Sequence, residues 1–195
     1  MQRRTLLSLL ATGALAPAAF GAAAQGNWPN QPIRLIVPYP AGGGTDFFAR
    51  LVAPGMGEVL GQPVIVDNRP GASGIIGATA VAKQLAPDGH TFLLGDMTTY
   101  AVNPAMLDKL SYDPLKDLRT VTMTAKFDFL LVVNPNTLPV RNLQELIALA
   151  ARTPEGLNYG SPSVGTTHHL ATELLARETG MKLVAITYKL SLIHI

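Results

Sequence analysis

Between the apolar run Ile33–Val37 and an amphipathic stretch opening at Phe47 lies Pro38–Asp46, PYPAGGGTD. An apolar run, a tight glycine turn and a helix start describe a strand–loop–helix unit, and that unit restricts the chain to an α/β arrangement. Consecutive glycines let backbone approach a ligand without Cβ interference. Thr45 or Asp46 is positioned to cap the helix, whose first N–H groups lack internal partners and attract anions. The turn therefore reads as an anion-binding loop, or else as a plain glycine-rich connection in an α/β fold.

The same unit recurs along the chain. After Phe47, apolar residues keep helical spacing to Leu60, with Pro54, Gly55 and Gly57 predicting a kinked or split helix that ends at Gly61. Pro63–Val66 reads as a second strand, opening into the polar turn Asp67–Gly74 and a helix to about Leu85. Thr91–Leu94 reads as a third strand, ending at Gly95–Thr99. Strands whose C-terminal ends open into polar loops place a ligand site at that edge of the sheet. Asn103–Asp117 carries turn signals and short helices at most, and Val121–Ala125 and Phe129–Val133 read as further strands. A helix from Val140–Asn142 to Ala151, a short strand at Tyr159–Gly160, a helix from Thr166 to Thr179 and a strand at Leu183–Thr187 follow, with a second domain expected from residue 127.

The N-terminus has the marks of an export signal. Arg3 and Arg4 precede an apolar run from Leu6 to Phe20 and an alanine-rich end, predicting a secretory signal over 1–24 cleaved after Ala24 and a periplasmic destination. Sec-type and twin-arginine-type signals both fit. Losing that segment lowers the formal charge from +2 to 0, since it holds Arg3 and Arg4 and no acid. No basic patch with interleaved aromatics remains, which argues against nucleic-acid binding. The absence of cysteine excludes disulfides and thiol chemistry.

A second hydroxyl- and glycine-rich turn, Ser161–Thr167, also precedes a helix. Two such turns can face each other across a cleft and hold a carboxylate by hydrogen bonds without a full counter-charge. The competing reading is two capped helices and nothing more. Catalytic patterns fit less well. Ser163 lies in Ser-x-Ser-x-Gly, with Ser161 where a nucleophile elbow needs glycine. His169 and Glu173 share a helix face but lack a third metal ligand, and His168 points elsewhere. Gly71-x-x-Gly74-x-x-Gly77, with Asp96 at the end of the next strand, approaches a dinucleotide fingerprint, so an NAD(P)-binding oxidoreductase is the enzymatic alternative. Its first gap is one residue too long.

These strings together resemble the substrate-binding proteins of tripartite tricarboxylate transporters, the Bug/TctC family. The resemblance rests on PIRLIVPYPAGGGTD (32–46), LGQPVIVDNRPGASG (60–74), APDGHTFLLG (86–95), YDPLKDL (112–118), LNYGS (157–161) and GTTHHL (165–170). It runs from Trp28 to Lys189. It implies a two-lobed, Venus-flytrap periplasmic binding protein of type II, expected to be monomeric, without cofactor or catalysis, that closes over a small carboxylate (a di- or tricarboxylate, an amino acid or an aromatic acid) and presents it to membrane transporter subunits. By position it implies ligand contacts from Tyr39, Gly43, Gly44, Thr45, Asp46, Ser73 and Thr99 in lobe one (25–126), and from Ser161, Gly165, Thr166 and His169 in lobe two (127–189). Tyr100 and Pro162–Val164 depart from the family pattern and bear on side-chain specificity. Residues 190–195 resemble nothing in the family and read as a non-native tail on a shortened gene, which leaves a fragment that folds poorly and does nothing as a third reading.

Overall fold

The computed structural model describes residues 28–188. The signal segment over 1–24 and the tail at 190–195 lie outside the described residues. Within them the chain forms two parallel sheets, each with its own core.

The first sheet has strands β1 (Ile33–Val37), β2 (Val64–Asn68) and β3 (Thr91–Leu93), in the order β2-β1-β3. Strand β1 is central, with Ile33 opposite Val64 on one side and Arg34 opposite Thr91 on the other. Covered on both faces, it is apolar apart from Arg34, as buried parallel strands tend to be. Ile33, Ile36 and Val37 are fully buried; side chains of that size contribute about 1.5–3 kcal/mol each on burial. Helix α1 (Gly44–Leu60) packs Ala49 and Val52 against Leu35 and Val37. It runs unbroken through Pro54, so the split allowed for at Pro54–Gly57 is absent. Gly61, with φ of 68°, ends it by returning its N–H to the Gly57 carbonyl.

Strand β2 reaches two residues further than the apolar pattern suggested, because Asp67 and Asn68 pair with Ile36 and Val37. After a tight turn at Ala72–Gly74, helix α2 (Ile75–Thr79) continues as one wide π-type turn through Gln84. Another wide turn, Thr98–Val102, leads directly into the short helix α3 (Asn103–Met106), so helical geometry begins inside what the sequence presents as a polar loop.

The second sheet pairs β4 (Leu157–Ser161) with β5 (Leu183–Thr187) in parallel. Helix α4 (Leu143–Ala150) is closed by a reciprocal cap: Asn142 Oδ1 accepts from the Glu145 N–H while the Glu145 carboxylate accepts from Arg141 N and Asn142 Nδ2. Leu146 and Ala150 of α4 pack with Met181, Leu157, Leu183 and Leu175, the last from helix α5 (Thr167–Thr179).

Val121–Ala125 and Phe129–Val133 form no strands, contrary to expectation. Val121, Met123, Leu130 and Val132 are largely exposed. β-propensity expresses packing against neighbouring strands, and these segments have none among the described residues.

Candidate functional site: facing turns at the sheet edges

The strand order places β1 between β2 and β3, so the chain leaves β1 toward one side and returns on the other. Such a switch point opens a crevice at the carboxyl ends of the strands. The turns after β1 and β3 meet there through Tyr39, whose hydroxyl donates to the Asp96 carboxylate at 2.8 Å from each oxygen. Burial, reinforced by the Asp96 charge, pushes the Tyr39 phenol well above its ordinary pKa, so it remains a donor.

Asp46 turns inward. Almost fully buried, its carboxylate accepts from Gly42 N at 2.8 Å, Arg50 Nε at 2.9 Å and Asn68 Nδ2 at 2.9 Å. Burial disfavours its charge, but the bonds from Arg50, Gly42 and Asn68 prevail and hold its pKa below the usual carboxylate value. Asn68 also donates to the Tyr39 carbonyl, tying the β2 end to both ends of the turn after β1. The expected side-chain cap is therefore absent: the N-cap of α1 is Gly43, and neither Thr45 nor Asp46 caps the helix. Asp46 instead folds the turn that leads into it. The first-turn N–H groups of Gly44, Thr45 and Asp46 are left without a side-chain acceptor. An added Cβ on Gly44 would meet nothing within 4 Å, so that backbone is open.

The turn after β2 is held in left-handed geometry: φ is 130° at Gly71, 47° at Ala72, 52° at Ser73 and 86° at Gly74. Ala72 and Ser73 lack glycine's freedom, and such strain persists only where surroundings impose it. Asn103 Nδ2 supports the turn by donating to the Ser73 carbonyl at 3.1 Å. The glycines of the suspected dinucleotide fingerprint are filled by protein. A Cβ on Gly74 would lie 2.9 Å from Thr99 and one on Gly77 2.9 Å from Pro38 backbone, while Asp96 is engaged with Tyr39 and Thr99. They serve close packing of three turns and leave no cradle for a pyrophosphate.

Thr99 is fully buried; its hydroxyl accepts from Asp96 N and donates to the Asp96 carbonyl, and its own carbonyl accepts from the Tyr112 hydroxyl. It thus supports the β3 turn from beneath.

In the second sheet, Ser161 and Thr166 are buried and both donate to the Ser163 carbonyl, at 3.1 and 2.9 Å, folding the turn after β4. Thr166 caps α5, its Oγ1 accepting from His169 N. Gly165, with φ of 78°, lies against Met106 of the first unit. His169 Nε2 is 4.0 Å from Glu173, which accepts from the Tyr159 hydroxyl at 2.7 Å, and His169 Nδ1 is buried without a partner. No cluster of metal-binding side chains occurs among the described residues.

The turn after β2 meets the turn after β4. Ser73 Oγ lies 3.3 Å from Ser163 Oγ and donates to the Val164 carbonyl at 3.3 Å. Gly43, Gly44 and Thr45 present open backbone, whereas the Ser73 hydroxyl is engaged at the junction. Asp46, Thr99, Ser161 and Thr166 are committed to internal bonds. Asn68, Asp96, Asn103 and Tyr112, which hold the turns, were not singled out as site residues from sequence; only Asp96 carried a signal, as a carboxylate at a strand end. The hollow between α1 and β2, lined by residues such as Arg50, Pro54 and Val64, shares no residue with these turns.

Comparison with known proteins agrees with this architecture. The profile of the family described as "Tripartite tricarboxylate transporter family receptor" matches residues 48–191. A Cupriavidus necator protein, "UPF0065 protein in gbd 5'region", is 42% identical over 97% of this chain and 58% of its own length. BugT of Bordetella pertussis is 40% identical over 83% of this chain and 49% of its own. Among solved structures, a periplasmic transporter superposes with a TM-score of 0.73 at 37% identity, covering 83% of this chain and 53% of that one. Rpa4515 of R. palustris, solved with adipate, superposes at 0.68 and 33% identity, covering 83% and 54%. The chain thus spans about half the length of the relatives it matches. It has the α/β fold of periplasmic binding proteins and belongs to the tripartite tricarboxylate transporter receptor family, the Bug/TctC proteins.

Proposed function

We propose that the protein is a periplasmic solute receptor that captures a small organic carboxylate between its two glycine- and hydroxyl-bearing turns and hands it to membrane transporter subunits, without catalysis. The observation that carries this reading is the uncapped N-terminus of α1, at Gly43–Thr45, on a first unit whose Ser73 also meets the Ser163–Val164 turn. A helix N-terminus offers N–H groups and a positive dipole end to an anion. Gly43, Gly44, Thr45 and Ser73 would touch the carboxylate, with Gly165 and His169 closing from the facing turn. Tyr39, Asp46, Thr99, Ser161 and Thr166 would hold those groups in place. Lobe one, 25–126, and lobe two, 127–189, would then be the jaws, each built on one of the two cores. Rpa4515 with adipate and MatC of Rhodopseudomonas palustris with bound malate are relatives solved with carboxylates, which favours the same ligand class here. The leader over 1–24 supports export to the periplasm.

Isothermal titration of the full-length protein against dicarboxylates, tricarboxylates, amino acids and aromatic acids tests the proposal. Saturable binding to at least one carboxylate is expected; silence across the panel would overturn it.

A further inference from the structure

Aromatic rings form a row between the two turns. Phe47, in the first turn of α1, meets Phe48 edge-on at 5.8 Å between ring centres, and Phe48 stacks on Phe127 at 5.9 Å with planes 12° apart. Phe127 meets Phe129 at 6.3 Å and 84°, and Phe129 meets His168 at 4.8 Å and 70°. His168 stands in the first turn of α5. Ring by ring, the row connects the first turns of the two helices whose N-termini carry the facing turns.

Much of this row is open. Phe47, Phe127 and Phe129 are 63%, 57% and 47% exposed. Its one titratable member is held neutral near pH 7, because partial enclosure lowers the His168 pKa against the opposing pull of Asp96. Hence a surface of aromatic faces and edges, without a fixed charge of its own, borders a site built to hold an anion.

We propose, resting on the carboxylate reading above, that this row selects the other end of the ligand. Its occupant is the ring of an aromatic carboxylate. A second carboxylate or a hydroxyl placed there would be desolvated against phenyl faces, which carry negative potential and offer no donor. An aromatic ring instead extends the stacked and edge-to-face contacts the row already makes. Such contacts add up to about tenfold in affinity beyond what buried area contributes. Phe47, at one end of the row, and Phe129, next to His168 at the other, are the specificity-determining residues.

The test is titration of the full-length protein and of Phe47→Leu and Phe129→Leu with phenylacetate, benzoate, succinate and citrate. Phenylacetate or benzoate should bind more tightly than succinate or citrate. Each variant should lose about tenfold for the aromatic acids and keep its affinity for whichever aliphatic acid binds. Aliphatic binding without aromatic preference, or equal losses for both classes, overturns the row and leaves carboxylate capture standing. Binding of neither class removes both proposals. Should either variant fail to fold, saturation-transfer NMR of phenylacetate on the unsubstituted protein decides: the ring protons should receive more saturation than the methylene protons, and the reverse overturns the proposal.

Discussion

The Tyr39 hydroxyl lies 2.8 Å from each carboxylate oxygen of Asp96, locking the turn after the central strand to the turn after β3. Hydrogen bonds to charged groups contribute about 1.5–3 kcal/mol. Tyr39→Phe should therefore lower the free energy of unfolding by about 2 kcal/mol, read from urea denaturation. The raised pKa of Tyr39 adds a pH signature. A group with a folded pKa above its unfolded value, about 10 for tyrosine, stabilises fully below that pH and loses the contribution as pH rises above it. The wild-type protein should lose stability more steeply above pH ~10 than Tyr39→Phe does. Parallel curves would show that the bond contributes nothing.

Asp46 makes the opposite prediction. Its folded pKa is depressed, so its contribution is present above about pH 4 and fades as pH falls through the depressed value. Replacing it by alanine strands the Gly42 N–H and Asn68 Nδ2, for an expected loss of about 2 kcal/mol at pH 7. Denaturation midpoints between pH 2 and pH 5 should converge for wild type and Asp46→Ala. A gap persisting at the acid end would mean that packing, and not charge, is what Asp46 supplies.

Gly44 and Gly77 separate binding from folding. A side chain at Gly44 enters open space, so Gly44→Val should leave the melting temperature within a few degrees while weakening carboxylate binding tenfold or more, about 1.4 kcal/mol. At Gly77 an added Cβ falls 2.9 Å from Pro38 and 3.0 Å from the Arg69 carbonyl, backbone that cannot swing aside. Overpacking of this kind costs about 1–3 kcal/mol, so Gly77→Ala should melt earlier. Calorimetric scans of the two variants, with titration of Gly44→Val, check both statements. Unimpaired binding by Gly44→Val would remove the α1 N-terminus from the site.

Thr166 caps α5 and donates to the Ser163 carbonyl. Loss of such a cap costs about 1 kcal/mol. Thr166→Ala should show that loss in urea denaturation, whereas Thr166→Ser should retain most of the stability. Equal behaviour of the two variants would mean that the hydroxyl is not what the turn depends on.

The sequence by itself determined the punctuation of the chain and its family. Glycines after helices, seen at Gly61 and Gly180, and capping residues before them, at Asn142 and Thr166, act through neighbours within a few residues, so the end of α1 and the boundaries of α4 and α5 are legible without the fold. The apolar run Ile33–Val37 likewise announced the strand β1. Tertiary structure decided the rest, because it depends on groups far apart in the chain. Val121–Ala125 and Phe129–Val133 have the composition of strands, yet a strand needs a neighbour and these have none among the described residues. Asp46 looked like a cap or a ligand; Asn68, from the end of β2, and Arg50 turn it inward. Asp96 looked like a ribose acceptor until Tyr39 occupied it. The aromatic row from Phe47 to His168 has no sequence period at all, since it joins α1, the 127–129 segment and α5 only through packing. The Pro38–Asp46 turn was visible from the start as a loop that lets backbone approach an anion. Which of its atoms remain free to do so was settled by the side chains that the ends of β2 and β3 bring against it.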